Sequence, residues 1–64
     1  MEPVHTVKEV AATLRIDPQD VGRLIRSGRL RAFRATTGRT APWRITEEAL
    51  AEFIATQEAA AHAA

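Results

Sequence analysis

The 64-residue sequence contains no cysteine, which excludes a disulfide framework and any thiolate metal site. Domains this small often lean on one or the other, so packing alone must hold the fold. Long apolar runs are missing too. Nothing approaches the ~18 residues of a membrane span, and the opening Met1-Glu2-Pro3-Val4-His5 lacks the basic end and apolar stretch of a signal peptide. These absences lead to the expectation of a cytoplasmic protein without membrane contact. Serine occurs once, as Ser27, and there is no Gly-rich phosphate loop and no H-x-x-x-H pair. A nucleophile, a base and a pocket would all have to come from one small core, so no enzyme, no cofactor and no metal is expected. His5 and His62 are expected to lie outside the packed elements.

What is present is a globular composition, 45% hydrophobic and 27% charged, enough for one small core and no second domain. The net charge of +1 conceals a strong partition along the chain. Residues 1–20 sum to −2. Residues 21–46 carry Arg23, Arg26, Arg29, Arg31, Arg34, Arg39 and Arg44 without a single acid, and residues 47–64 carry Glu47, Glu48, Glu52 and Glu58 without a base. A cationic middle of this kind suggests a polyanionic partner such as nucleic acid. Eight arginines stand against one lysine, and arginine grips phosphate or guanine bidentately. The thirteen alanines and scarce lysine also fit a GC-rich genome, so the placement of the arginines carries the argument and their abundance does not.

Thr6-Val7-Lys8-Glu9 is a capping box, and Val7, Val10, Ala11 and Leu14 follow at helical spacing, which predicts a first helix from Val7 to Leu14. Asp17 can cap a second helix, with Pro18 at its first position and Asp20 at its positive end. That helix is expected to bury Val21, Leu24 and Ile25 and to stop at Gly28 in the left-handed position. Its opposite face carries Gln19, Gly22, Arg23 and Arg26 at i, i+3, i+4 and i+7. Two short helices joined by a tight turn describe a helix-turn-helix whose second helix fits a major groove. From Leu30 the period changes. Leu30 to Ala35 and Pro42 to Ile45 read as two strands around a glycine-centred loop, a β-hairpin wing held to the helices by Phe33, Trp43 and Ile45. A third helix is expected after Thr46, with Glu47 and Glu48 serving its dipole. The alanine-rich end either extends this helix or frays. The expected layout is one domain over 4–57, with flexible or frayed termini at 1–3 and 58–64.

Helix, turn, helix ending in Leu24-Ile25-Arg26-Ser27-Gly28-Arg29-Leu30, hairpin closing on Trp43-Arg44-Ile45, then an acidic-start helix: this order resembles the excisionase-type DNA-binding domains, winged helix-turn-helix relatives of the MerR-like regulators. Thr6-Val7-Lys8-Glu9-Val10-Ala11 is similar to that family's opening helix, and the likeness runs from about Val4 to Ile54. It implies a mainly α fold with a small two-stranded wing and a C-terminal helix. It also implies a recognition helix in the major groove, a wing against the adjacent minor groove or backbone, and a bacterial or phage-encoded, nucleoid-associated protein. Such proteins include excisionases, recombination directionality factors that bias an integrase towards excision, and small transcription regulators. Gly22 stands where the family often has a larger, frequently aromatic residue.

The candidate DNA-binding residues on the recognition helix are therefore Gln19, Gly22, Arg23 and Arg26, with the arginines suited to guanine O6 and N7 and Gln19 to adenine. Few local acids are expected to compete for them. On the wing the candidates are Arg34, Thr36, Thr37, Arg39, Thr40 and Arg44, through phosphate or minor-groove contacts. Arg34 and Arg44 alternatively pair with Glu47 or Glu48. Trp43 is placed in the core in preference to a base-stacking role. The expected partners are double-stranded DNA, further copies of the chain bound cooperatively on repeated sites, and a site-specific integrase. The rivals are a small transcription regulator of the same fold and a protein-interaction adaptor that does not bind DNA.

Overall fold

The computed structural model describes residues 3–38 and 41–62. In chain order the elements are β1 (Val4–Thr6), α1 (Val7–Leu14), α2 (Pro18–Arg26), β2 (Phe33–Arg34), β3 (Trp43–Thr46) and α3 (Glu47–His62). The helix starts follow their local chemistry. Thr6 Oγ1 accepts from the Glu9 N–H at 3.1 Å while the Glu9 carboxylate accepts from the Thr6 N–H at 2.8 Å, the reciprocal arrangement of a capping box. Asp17 Oδ1 accepts from the Gln19 N–H at 2.8 Å with Pro18 in the first turn, and Thr46 Oγ1 accepts from the Ala49 N–H at 3.0 Å to open α3. Helix α1 closes on Arg15 in the left-handed region (φ 58°). Helix α2 closes on Ser27, followed by Gly28 at φ 81°, where a glycine carries no Cβ penalty.

The three strands form one antiparallel sheet in the order β1-β3-β2. Strand β3 has Val4, His5 and Thr6 opposite Thr46, Ile45 and Arg44 on one side, and Phe33 and Arg34 opposite Arg44 and Trp43 on the other. The Glu47 N–H donates to the Pro3 carbonyl at 3.1 Å, prolonging the contact of the chain start with β3. Val10, Val21, Leu30 and Ile45 are almost completely buried and join Ala11, Ile25, Ala49, Leu50 and Phe53 in a single core. Full burial of each large aliphatic side chain contributes about 1.5–3 kcal/mol. The core thus binds the two helices of the helix-turn-helix to β3 and to the first half of α3. Helix α3 continues through His62, the extended alternative for the alanine-rich end.

Several expectations need correction. The strand expected from Leu30 to Ala35 shrinks to Phe33–Arg34, because the Arg29 and Leu30 N–H groups both donate to the Leu24 carbonyl at 3.0 and 3.2 Å. Leu30 is thereby folded back onto the end of α2 and sinks into the core. Phe33, expected to pin the wing to the helices, is 45% exposed. Its register opposite Arg44 puts it on the sheet face that Trp43 and Ile45 do not share. His5, expected outside the packed elements, lies half-buried in β1, where its Nε2 pairs with the Glu47 carboxylate. The wing is accordingly part of a three-stranded sheet, a winged helix-turn-helix with an extra edge strand.

Candidate nucleic-acid interface

Helix α2 spans about 13 Å at 1.5 Å per residue, and a helix diameter of about 10–12 Å with side chains fits a major groove of roughly 12 Å width. Its apolar residues Val21 and Ile25 are buried and Leu24 is half-buried, so the helix can present only its other side. That side carries Gln19, Arg23 and Arg26, all exposed, with Gly22 half-buried between them. The four positions come together as the helical period requires. Arg23 is not without an acid, however: its Nη1 lies 3.3 Å from Asp20 Oδ1, with the two side chains 73% and 50% exposed. The expectation of few competing acids overlooked this neighbour one turn back, just outside the acid-free segment. The i,i+3 spacing was the signal for it.

Arg26 behaves differently. It makes no ion pair among the described residues, and its guanidinium lies against Gly22: a Cβ built there would meet Arg26 Nη1 at 3.2 Å, Nη2 at 3.7 Å and Cζ at 3.8 Å. Long side chains on a helix lean towards its N-terminus over the preceding turn, and at position 22 no side chain stands in the way. Arg23 and Arg26 also occupy the last turn of α2, where cations complement the negative end of the helix dipole.

On the wing, Arg34 shares a sheet face with Trp43, its guanidinium carbon 4.2 Å from the ring centroid, and its Nη1 donates to the Ala41 carbonyl at 2.7 Å. It thus clamps the base of the loop as well as carrying charge. Arg44 is half-buried, donates through Nη1 to the Trp43 carbonyl at 3.0 Å, and makes no ion pair with Glu47 or Glu48. Thr36 and Thr37 are exposed. Arg39 and Thr40 lie outside the described residues. Trp43 is half-buried against the core, as expected.

Two further arginines of the cationic segment separate by environment. Arg31 is turned away to α3, where Nη2 meets Glu52 Oε2 at 3.1 Å. Arg29, exposed after the end of α2, has no ion-pair partner among the described residues. Sequence reasoning gave Arg29 and Arg15 no role, although both are exposed cations at the ends of the two helices of the motif. No helix among the described residues is long and apolar enough to cross a membrane.

No curated protein matches the chain. A family model described as a helix-turn-helix domain matches residues 6–58, which spans α1, α2, the wing and most of α3, a frame that suggests DNA binding. The chain belongs to the helix-turn-helix domain family.

Proposed function

We propose that this chain is a sequence-specific double-stranded DNA-binding protein of excisionase type. In this reading α2 enters the major groove and the wing rests on the flanking minor groove or backbone. Adjacent copies occupy repeated sites, bend the DNA and bias an integrase towards excision. The observation that carries the reading is the outward face of α2: Gln19, Arg23 and Arg26 exposed on a helix whose other side is fixed in the core. These are side chains that can donate hydrogen bonds to base edges. The excisionase assignment draws support from the likeness of Thr6 to Ala11, of Leu24 to Leu30 and of Trp43 to Ile45 to that family. The protein acts by binding alone, with no catalytic step and no cofactor. A single module of this size covers only about 600–1,000 Å² on DNA, which is why cooperative occupancy belongs to the proposal. The second reading, a small transcription regulator, uses the same surface on a promoter.

The test is fluorescence anisotropy with random duplexes, attachment-site DNA and promoter DNA at several salt concentrations, for wild type, Arg23→Ala and Arg39→Ala. The expected result is steep salt dependence, with Arg23→Ala lowering site preference and Arg39→Ala weakening every duplex alike. Preference for attachment-site DNA supports the excisionase reading and preference for a promoter the regulator. Flat, weak binding unaffected by either substitution would overturn both and favour a protein-interaction adaptor.

A further inference from the structure

On the outward face of α2 the Arg26 guanidinium lies against Gly22, and neither residue's ordinary structural role accounts for it. A glycine inside a helix costs stability relative to alanine. Gly22 has no positive φ to require it, in contrast to Gly28, and no backbone or core group crowds the space where its Cβ would stand. What fills that space is the guanidinium of Arg26. The arginine is four residues on, on the same face, and leans back along the helix. A planar five-donor group supplied from the next turn thus lies over residue 22, midway along α2, with Gln19 nearly one turn towards the N-terminus and Arg23 next in the chain.

We infer that Gly22 is a positioning residue for DNA specificity: by lacking a side chain it seats the Arg26 guanidinium over the middle of the recognition helix, where it reads a guanine edge. The inference rests on the DNA-binding reading above. A guanidinium held against the helix surface loses less freedom on docking than one extended into solvent, and its bidentate fork suits guanine O6 and N7. A side chain at 22 displaces it. An alanine Cβ at 3.2 Å from Nη1 asks the guanidinium to give by a few tenths of an ångström, whereas leucine takes the whole space. The displaced arginine stays cationic and can still meet phosphate, so discrimination falls further than general affinity.

The experiment begins by selecting a preferred site from a randomised duplex pool with the wild-type protein. Binding of wild type, Gly22→Ala, Gly22→Leu, Arg26→Ala and the double variant Gly22→Leu/Arg26→Ala to that site is then measured, together with binding to duplexes changed one base pair at a time. Gly22→Leu and Arg26→Ala should each lose about tenfold of the preference at the same G·C pair, and the double variant should lose no more than either, the mark of two residues acting as one. Gly22→Leu should lose less affinity for unselected duplex than for the selected site. Gly22→Ala should lose a smaller part of the preference while its melting temperature rises, because alanine favours the helix; a purely structural role for Gly22 would move neither preference nor affinity. Preference retained in Gly22→Leu, losses that multiply in the double variant, or losses at different base pairs would each overturn the inference while leaving DNA binding intact. If the wild type binds no duplex and enriches no sequence, the functional reading itself fails and the inference with it.

Discussion

Asp20, the one acid of α2, flanks the proposed DNA-facing side and touches a candidate base-reading residue, and replacing it with asparagine should separate folding from binding. In the free protein its carboxylate holds Arg23 at 3.3 Å, with the two side chains 50% and 73% exposed. An exposed i,i+3 pair of this kind contributes about 0.3–0.5 kcal/mol. The carboxylate also sits in the first turn of α2, where it is favoured by the dipole by a further ~0.3–1 kcal/mol. Asp20→Asn should therefore lower stability by about 1 kcal/mol. On DNA the signs reverse. The pair no longer has to be loosened for Arg23 to reach the groove, and a negative charge is withdrawn from a surface facing phosphates. A unit charge about 8 Å from a phosphate interacts by roughly 0.5 kcal/mol in unscreened water, and physiological salt reduces this to about 0.2 kcal/mol. Summed over a few phosphates and added to the released pair, the gain is about 0.5–1 kcal/mol, a two- to fivefold tighter complex. Anisotropy at 0.15 M and 0.5 M salt, beside a thermal melt, measures both effects, and the gain should shrink at the higher salt. A melting temperature that falls while every duplex binds more tightly is the expected pattern. Affinity that is unchanged or weaker on all duplexes would refute the reasoning; a loss confined to one base pair would mean that Asp20 itself accepts a hydrogen bond from a cytosine amino group.

Other expectations follow from single contacts. Gly28→Ala puts a Cβ on a residue at φ 81° and should cost about 1–2 kcal/mol, read by chemical denaturation, even though the added atom would meet nothing within 4 Å; an unchanged midpoint would show that the turn after α2 can relax. Arg34→Ala removes both the 2.7 Å bond to the Ala41 carbonyl and the contact with the Trp43 ring and should cost about 1–2 kcal/mol. The emission of the single tryptophan should shift to the red, and Arg34→Lys, which keeps the cation but not the fork, should fall between. The Glu9 carboxyl is held below its ordinary value of 4.5, chiefly by the Thr6 N–H that donates to it and further by the Thr6 hydroxyl and the nearby His5 and Arg44 charges. Its lowered pKa means that the stability it adds is fully present above about pH 4.5 and is lost as pH falls through the lower folded-state value. Glu9→Gln, which can still accept the Thr6 N–H, should narrow its gap from wild type over that range in melts recorded from pH 6 to pH 2; parallel curves would remove Glu9 from the acid response.

The helices were legible because their signals are local. Thr6 with Glu9, Asp17 with Pro18, and Gly28 each act within four residues, and the caps stand where the spacing put them. The sheet was less legible because its determinants are distant. Val4–Thr6 is three residues long with no alternation to announce it. It becomes a strand only because β3, some forty residues later, offers a free edge. The same non-locality explains Phe33. Sequence proximity to Trp43 suggested a shared cluster, but face is decided by register, and pairing opposite Arg44 leaves the ring on the other side. Leu30 went the opposite way, from expected strand to core, since its backbone is captured by the end of α2 before a strand can begin.

The candidate surface divides along the same line. Which arginines point outward from α2 follows from the helical period, and the structure brings Gln19, Gly22, Arg23 and Arg26 together as that period demands. What opposes each charge in space does not follow, because ion pairs between elements depend on the fold. Seven arginines between residues 21 and 46 looked equivalent as a run, yet Arg31 is held by Glu52 on α3, Arg34 is folded into the base of the wing, and Arg23 shares Asp20. Arg26 and Arg29, without ion-pair partners among the described residues, stand in the last turn of α2 and just beyond it. The acids of α3 are drawn in a corresponding way, Glu47 to His5 and Glu52 to Arg31. The partition of charge along the sequence is therefore partly neutralised where the elements meet. Among the described residues of the cationic run, Arg26 and Arg29 stand at the C-terminal end of α2, on and beside the face proposed to read base edges.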